Sequence, residues 1–226
     1  AGFLDIGGTI DAFAPFGAPG TVLFDPLDIF IATGGTAAPS SDILFDDFAG
    51  AATTLDPAYL TGAVGTLTLQ ATNDITVADA VAGAVADIVL DAGNDIAINA
   101  GLVTSGGLTL TADADFSAGG GSASDGAGTV VFGAGGSLGA GALAITAAEA
   151  VDAGAITATT GTIQTGGALT QQAGTAVSVS GTLTVDAGSA DITLTETGND
   201  FADEASGAAA SFSGGSISLY DTDSIE

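Results

Sequence analysis

The chain has 226 residues, no Lys, Arg or His, and 27 Asp and Glu, giving a formal charge of -27 at pH 7. An average domain carries about 25% charged residues of mixed sign. Without bases the chain cannot neutralise nucleic-acid phosphates, dock on anionic membranes or supply the lysine of a phosphate-binding loop. Without His and Cys there is no thiol nucleophile, Ser-His triad, zinc, haem or iron-sulfur centre.

Charge of this size suggests a solvated polymer, but the hydrophobic fraction is 46% and the mean hydropathy is +0.55, so the chain is expected to fold. Acidity then serves solubility and repulsion between chains. The longest apolar run, Ala80 to Ala86, falls far short of the ~20 residues of a membrane helix, and no membrane insertion is expected. There is no basic leader and no initiating Met, so a secretory signal, if one exists, is expected to have been removed or to lie outside these residues.

Residues 1–61 hold all 5 prolines and 7 of the 11 phenylalanines and show no repeat, so they read as a decorated start whose coils carry extra loops. Phe3-Leu4-Asp5-Ile6 reads as a strand, and Thr21 to Ala32 reads as two strands around an Asp-Pro turn. Asp56-Pro57 has the form of an N-cap followed by proline at the first helical position, which predicts a short helix over Pro57 to Leu60.

A repeat governs residues 62–226. Leu67, Leu69, Ile75 and Val77 recur 21 residues later as Ile88, Leu90, Ile96 and Ile98, and 20 residues further on come Leu108 and Leu110. Leu143, Ile163 and Leu183 recur at shifts of 20. Within each copy, apolar residues alternate with Thr or Asp, the two-residue period of strands, and AGND, TSGG and TTG supply turn chemistry. An antiparallel sandwich needs hairpins and uneven strand roles. Equivalent residues at a constant period instead stack at about 4.8 Å in an all-β parallel β-helix of about 20 residues per coil. About 8 coils would span roughly 40 Å. Leu67, Leu69, Ile75, Val77, Ile88, Leu90, Ile96, Ile98, Leu108, Leu110, Ile163, Leu183 and Val185 should point inward, and Asp residues should occupy turns and outward positions.

Asn-Asp-apolar recurs at Asn73-Asp74-Ile75, Asn94-Asp95-Ile96 and Asn199-Asp200-Phe201. One reading is corner geometry, with Asn in the left-handed conformation and Asp accepting a backbone hydrogen bond. The other is that Asp74 and Asp95, stacked on successive coils, share Ca2+, although the glycine-rich nonapeptide of calcium-binding β-rolls is absent. Residues 117–142, with 10 glycines among 26, read as a loop or widened turn around one strand at Thr129 to Phe132.

The stretches VLFDPLDIFIA, TTLDPAYLTGAVGTLTLQATNDITV (Thr53 to Val77) and GALTQQAGTAVSVSGTLTVDAGSADITLTETGNDF (Gly167 to Phe201) resemble repeats of filamentous-haemagglutinin-like exoproteins of Gram-negative bacteria, secreted by the two-partner route. The resemblance implies a right-handed β-helix, export to the cell surface or medium, and an adhesive filament. It departs from the family in lacking basic residues and the amino-terminal secretion domain with its Asn-Pro-Asn-Gly type motif.

Three functions follow. A structural filament would stack head to tail on itself, because neither terminus shows an amphipathic cap and both read as strands. Its interface would join Ile217, Leu219 and Tyr220 to Phe3, Leu4, Ile6 and Ile10 of the next copy. An adhesin domain would bind surface glycan or a host-cell protein through its Phe-rich start. A glycan hydrolase would need a carboxylate pair, formally Asp46-Asp47 or Asp113 with Asp115, without cations to tune it. No catalytic activity is expected.

Overall fold

A computed structural model of the chain describes residues 21–24, 27–35, 52–115, 124–202 and 207–222. The chain begins with β1 (Thr21–Phe24), β2 (Asp28–Ile31), β3 (Ala52–Leu55) and helix α1 (Pro57–Thr61). The next strands are β4 (Thr66–Ala71), β5 (Ile75–Val77), β6 (Val81–Ala84), β7 (Asp87–Ala92), β8 (Ile96–Ile98), β9 (Gly101–Thr104) and β10 (Gly107–Ala112). Beyond them lie β11 (Val130–Phe132), β12 (Ser137–Ala147), β13 (Val151–Ala153), β14 (Ala155–Thr165), β15 (Leu169–Gln171) and β16 (Val177–Val179). The last are β17 (Leu183–Asp186), β18 (Ile192–Leu194), β19 (Asp200–Phe201), β20 (Ala210–Ser213) and β21 (Ile217–Leu219).

These strands wind into a parallel β-helix of about 8 turns of roughly 22 residues. Among the described residues, each turn from β4 to β19 lays one strand on each of three faces. The first face stacks β1, β4, β7, β10, the second parts of β12 and β14, β17 and β20. The second face runs from β3 and β2 through β5, β8, β11, β13, β15 and β18 to β21. The third stacks β6, β9, the first parts of β12 and β14, β16 and β19. Each of the 11-residue strands β12 and β14 passes through the corner from the third face to the first, which merges those faces into one 12-stranded sheet beside a 9-stranded one.

Alternation decides which side chains fill the interior. Leu67 pairs with Ile88 and Ile88 with Leu108, one column two residues before that of Leu69, Leu90 and Leu110. All 13 side chains expected to point inward are buried. Each such Leu, Ile or Val contributes about 1.5–3 kcal/mol when removed from water, and stacking supplies the neighbours that a single coil lacks. At the end of the first face the inward column becomes Ala71, Ala92, Ala112 and Ala147, small residues where the chain turns toward the second face.

Ile163 does not share a column with Leu143 and Leu183. Leu143 pairs with Gly161 and Gly161 with Leu183, so successive coils have lengths of 18 and 22 residues, and Ile163 stacks between Ile145 and Val185 instead. Unequal coils cancel over two turns and mimic a period of 20. A displacement of two residues keeps side-chain parity, which is why Ile163 still points inward.

The glycine-rich stretch is only partly a loop. Residues 116–123 lie outside the described residues, β11 occupies Val130–Phe132, and Ser137–Ala142 form the first half of a long strand with Leu138 buried. Its glycines fit close neighbours. A Cβ on Gly139 would stand 3.1 Å from Val103 Cγ1, on the strand beneath.

At the start, β1 and β4 pair with a shift of 45 residues, and β3 lies beneath β2 with a shift of 24. The two strands of Thr21 to Ala32 are present, and the Asp25-Pro26 turn between them lies outside the described residues. Asp56 caps α1, its Oδ1 accepting from Ala58 N at 2.9 Å, with Pro57 in the first turn. Among the described residues, β6 pairs only with β9, and α1 lies against β6 with Leu60 buried. The third face therefore has a cover at its amino-terminal edge; the chain's own start, residues 1–20, lies outside the described residues. An inward Leu60 makes one short helical turn apolar enough to replace a rung.

Candidate functional site

The corner leading into the second face is built by carboxylates. Asp28, Asp74 and Asp95 each precede the first inward isoleucine of that face, Ile29, Ile75 and Ile96, which stack on one another. Asp28 Oδ1 accepts from Asn73 Nδ2 at 2.8 Å, and Asp74 Oδ1 accepts from Asn94 Nδ2 at 3.0 Å and Asp95 N at 3.1 Å. Asp95 Oδ1 then accepts from Thr129 N at 2.8 Å and Thr129 Oγ1 at 2.7 Å. Each carboxylate thus binds donors of the coil above. Charged acceptors of this kind strengthen a hydrogen bond and need no cationic side chain.

Asp74 and Asp95 are stacked on successive coils, as the sequence suggests, with their Oδ1 atoms occupied by these donors. Among the described residues there is no group of three or more acidic side chains that could hold a metal. Asn73, Asn94 and Asn199 are not in the left-handed conformation; among the described non-glycine residues only Asp113 and Ala202 have positive φ. The side-chain amides of Asn73 and Asn94 make hydrogen-bond donation, not backbone permissiveness, the reason for Asn at that corner.

The third triplet occupies a different corner. Phe201 pairs with Val179 on the third face, whereas Ile75 and Ile96 lie on the second. Asn199 is fully buried and forms a reciprocal amide pair with Gln171, Nδ2 donating to Oε1 at 2.9 Å and Oδ1 accepting from Nε2 at 2.6 Å. Its Oδ1 also accepts from Val177 N at 2.9 Å. Asp28, Thr129 and Gln171 escaped the sequence reading. Asp28 carried a signal, since DIFI, DITV and DIAI share Asp-Ile-x-(Ile/Val) at equivalent positions.

Other carboxylates tie neighbouring turns together. Asp87 Oδ1 accepts from Gly107 N at 2.7 Å, Asp191 Oδ1 from Ser216 N at 3.0 Å, and Glu196 Oε2 from Gly174 N at 2.8 Å. Asp79 Oδ2 accepts from Thr33 N at 2.7 Å, and hydrogen bonding by Thr33 holds the Asp79 carboxyl below its ordinary range. Among the described residues no Asp or Glu is buried.

Of the formal catalytic carboxylates, Asp46 and Asp47 lie outside the described residues. Asp113 accepts from Asp125 N at 2.8 Å and Gly126 N at 2.9 Å, which closes the loop back onto the corner. Beside it an open groove of about 380 Å³ is lined by Thr111, Asp113, Thr146, Gln164, Thr165 and Asp186 among others.

The carboxy-terminal coil forms the other feature. The second-face column Ile29, Ile75, Ile96, Val130, Val151, Leu169 and Ile192 is 0% exposed throughout, yet Ile217, which pairs with Ile192 in the next position, is 44% exposed. Leu219 is half-buried and Tyr220 is 44% exposed. Phe3, Leu4, Ile6 and Ile10 lie outside the described residues.

Residues 140–208, less than a third of the chain, match a family described as repeats of unknown function (DUF5649). No curated protein and no solved structure matches the chain. The matched span runs from within β12 to just beyond β19, and together with the parallel solenoid it identifies a repeat-type protein.

Proposed function

We propose that the chain is a structural segment of an extracellular filament, in which the β-helix continues end to end from one copy to the next. The exposed Ile217 at the head of an otherwise sealed apolar column carries this reading. A further coil would bury it, and backbone hydrogen bonds would extend each sheet. The Ile29, Ile75, Ile96, Val130, Val151, Leu169 and Ile192 amides each donate to a carbonyl of the next coil, and Ile217 holds the following place in that series. The resemblance to filamentous-haemagglutinin-like exoproteins supports secretion to the surface of a Gram-negative bacterium and a role in adhesion to cells or glycans.

Assembly of this kind has a definite response to salt. Subunits of charge -27 repel one another, and screening shortens that repulsion from about 10 Å at 0.1 M to about 3 Å at 1 M ionic strength. The purified chain should therefore form filaments more readily as salt is raised, and Ile217→Asp should suppress them. Sedimentation and electron microscopy across a salt series test this. A monomer at every salt concentration, or filaments that dissolve as salt rises, would overturn the reading.

A further inference from the structure

We infer that the open groove beside Asp113 is a binding site for a neutral, extended β-linked glycan, which lies along the solenoid axis with successive sugar rings on successive coils. The site gives a ligand and a place to the adhesive role proposed above and rests on that reading for its biological use; the binding itself is a property of the single subunit.

The groove follows from the way the first face ends. There the inward column narrows to Ala112 and Ala147, which draws the corner toward the axis, while the outward column beside it stays long and polar. That column is Gln70, Asp91, Thr111, Thr146, Gln164 and Asp186, one residue on each successive coil. Its first two members close on each other, Gln70 Nε2 donating to Asp91 Oδ2 at 3.2 Å. The other four line the groove. Among the described residues none shares a hydrogen bond with the side chains of Thr111, Thr146 or Gln164, and Thr146 and Gln164 are exposed. Three side chains that can each donate and accept thus stand in one row, uncommitted.

Chemistry selects the ligand. Hydroxyl and carboxamide groups match sugar hydroxyls, which are donors and acceptors at once. An acidic sugar or a phosphate would meet a chain of charge -27 with no Lys, Arg or His to hold it. A basic peptide would need free carboxylates, but the Asp113 oxygens already accept from Asp125 N and Gly126 N, and Asp186 Oδ1 accepts from Gly188 N. Geometry narrows the sugar further. The row crosses four coils, three spacings of about 4.8 Å or roughly 14 Å, and a β-1,4-linked chain is a ribbon whose rings advance by nearly one such spacing. An α-1,4-linked chain curls away from a straight row. The volume of about 380 Å³ lies within the range of about 300–1,000 Å³ typical of ligand sites, and Ala112, Ala147 and Ala148 supply apolar surface for the C–H faces of the rings.

Cellotetraose is the probe, titrated into the dispersed, isotope-labelled subunit at low salt and followed by NMR, with maltotetraose, tetragalacturonate and a tetra-arginine peptide for comparison. Cellotetraose should shift the Gln164 side-chain amide and the Thr111 and Thr146 signals, and added salt should leave its affinity unchanged because no charges pair. Tetragalacturonate should shift nothing. Thr146→Val together with Gln164→Ala, both at exposed positions, should weaken cellotetraose binding about tenfold, the loss expected of two or three neutral hydrogen bonds. Thr193→Val on the second face should not weaken it, and circular dichroism confirms that each variant is folded. No shift at Gln164, shifts confined to another face, undiminished binding by the double variant, or equal binding of maltotetraose would overturn the site. Tighter binding of tetra-arginine that is lost as salt rises would overturn it in favour of a cationic partner. Because the subunit is dispersed, each result stands whether or not filaments form, so failure of the glycan site and failure of end-to-end assembly are read separately.

Discussion

Replacing Asp74 with Asn and, separately, with Ala separates its two contributions to the corner. Asp74 Oδ1 accepts two donors from the next coil, Asn94 Nδ2 and Asp95 N, and the side chain is half-buried. Hydrogen bonds to a charged group contribute about 1.5–3 kcal/mol each, water replaces part of this at a half-exposed site, and loss of the charge also relieves repulsion from Asp28 and Asp95, so Asp74→Ala should cost about 1–2 kcal/mol. Asp74→Asn keeps an acceptor oxygen and removes a charge one rung from both Asp28 and Asp95. At about 4.8 Å each such neighbour repels by about 0.9 kcal/mol in water, before screening by salt. Relief of that repulsion offsets the weaker acceptor, and Asp74→Asn should lie within about 0.5 kcal/mol of the parent at low salt. Chemical unfolding at low and high salt, with and without chelator, is the assay. If Asn is as damaging as Ala, and chelator destabilises the parent, the carboxylates hold a cation and the hydrogen-bonded ladder is refuted.

Thr53 is buried beneath Ile29 with its hydroxyl unpaired, so Thr53→Val should raise stability by about 1 kcal/mol; an unchanged or lower melting temperature would show that the hydroxyl has a partner. A Cβ on Gly154 would stand 2.7 Å from Phe132 Cδ1 and 2.7 Å from Gly136 O, so Gly154→Ala should cost about 1–3 kcal/mol. Phe132→Leu should recover part of that loss, and strict additivity of the two changes in a double-mutant cycle would contradict the contact. The Thr33–Asp79 bond stabilises the fold above the ordinary carboxyl value of 3.8 and loses its effect as pH falls through the lower folded-state value. Asp79→Ala should therefore be less stable than the parent at neutral pH and converge with it in acid, whereas parallel pH profiles would count against the bond.

Side-chain parity was legible because a strand's two-residue period survives any even change in coil length. It placed Leu67, Ile88 and Leu108 in one column and kept Ile163 inward even where the column was misread. Register was less legible, since an 18-residue coil followed by a 22-residue coil averages to the apparent period. The glycines of Ser137–Ala142 read as loop chemistry because the sequence does not display the Val103 side chain that fills the space beside Gly139. Asn199 looked like a third copy of the Asn73 motif, but its local triplet carries no mark of the face it enters. Its partner Gln171 lies 28 residues away in the chain.

Amide hydrogen exchange at Ile217, compared with Ile192, tests continuation of the β-helix most directly. In the dispersed subunit Ile192 N donates to Ser216 O at 2.8 Å, so its exchange should be slow, while Ile217 should exchange fast at the exposed edge. On assembly at raised salt, Ile217 should gain protection comparable to that of Ile192, because the next coil supplies the carbonyl that continues the series. Filaments in which Ile217 still exchanges as fast as in the dispersed subunit would show that they form through some other surface, and would contradict end-to-end stacking.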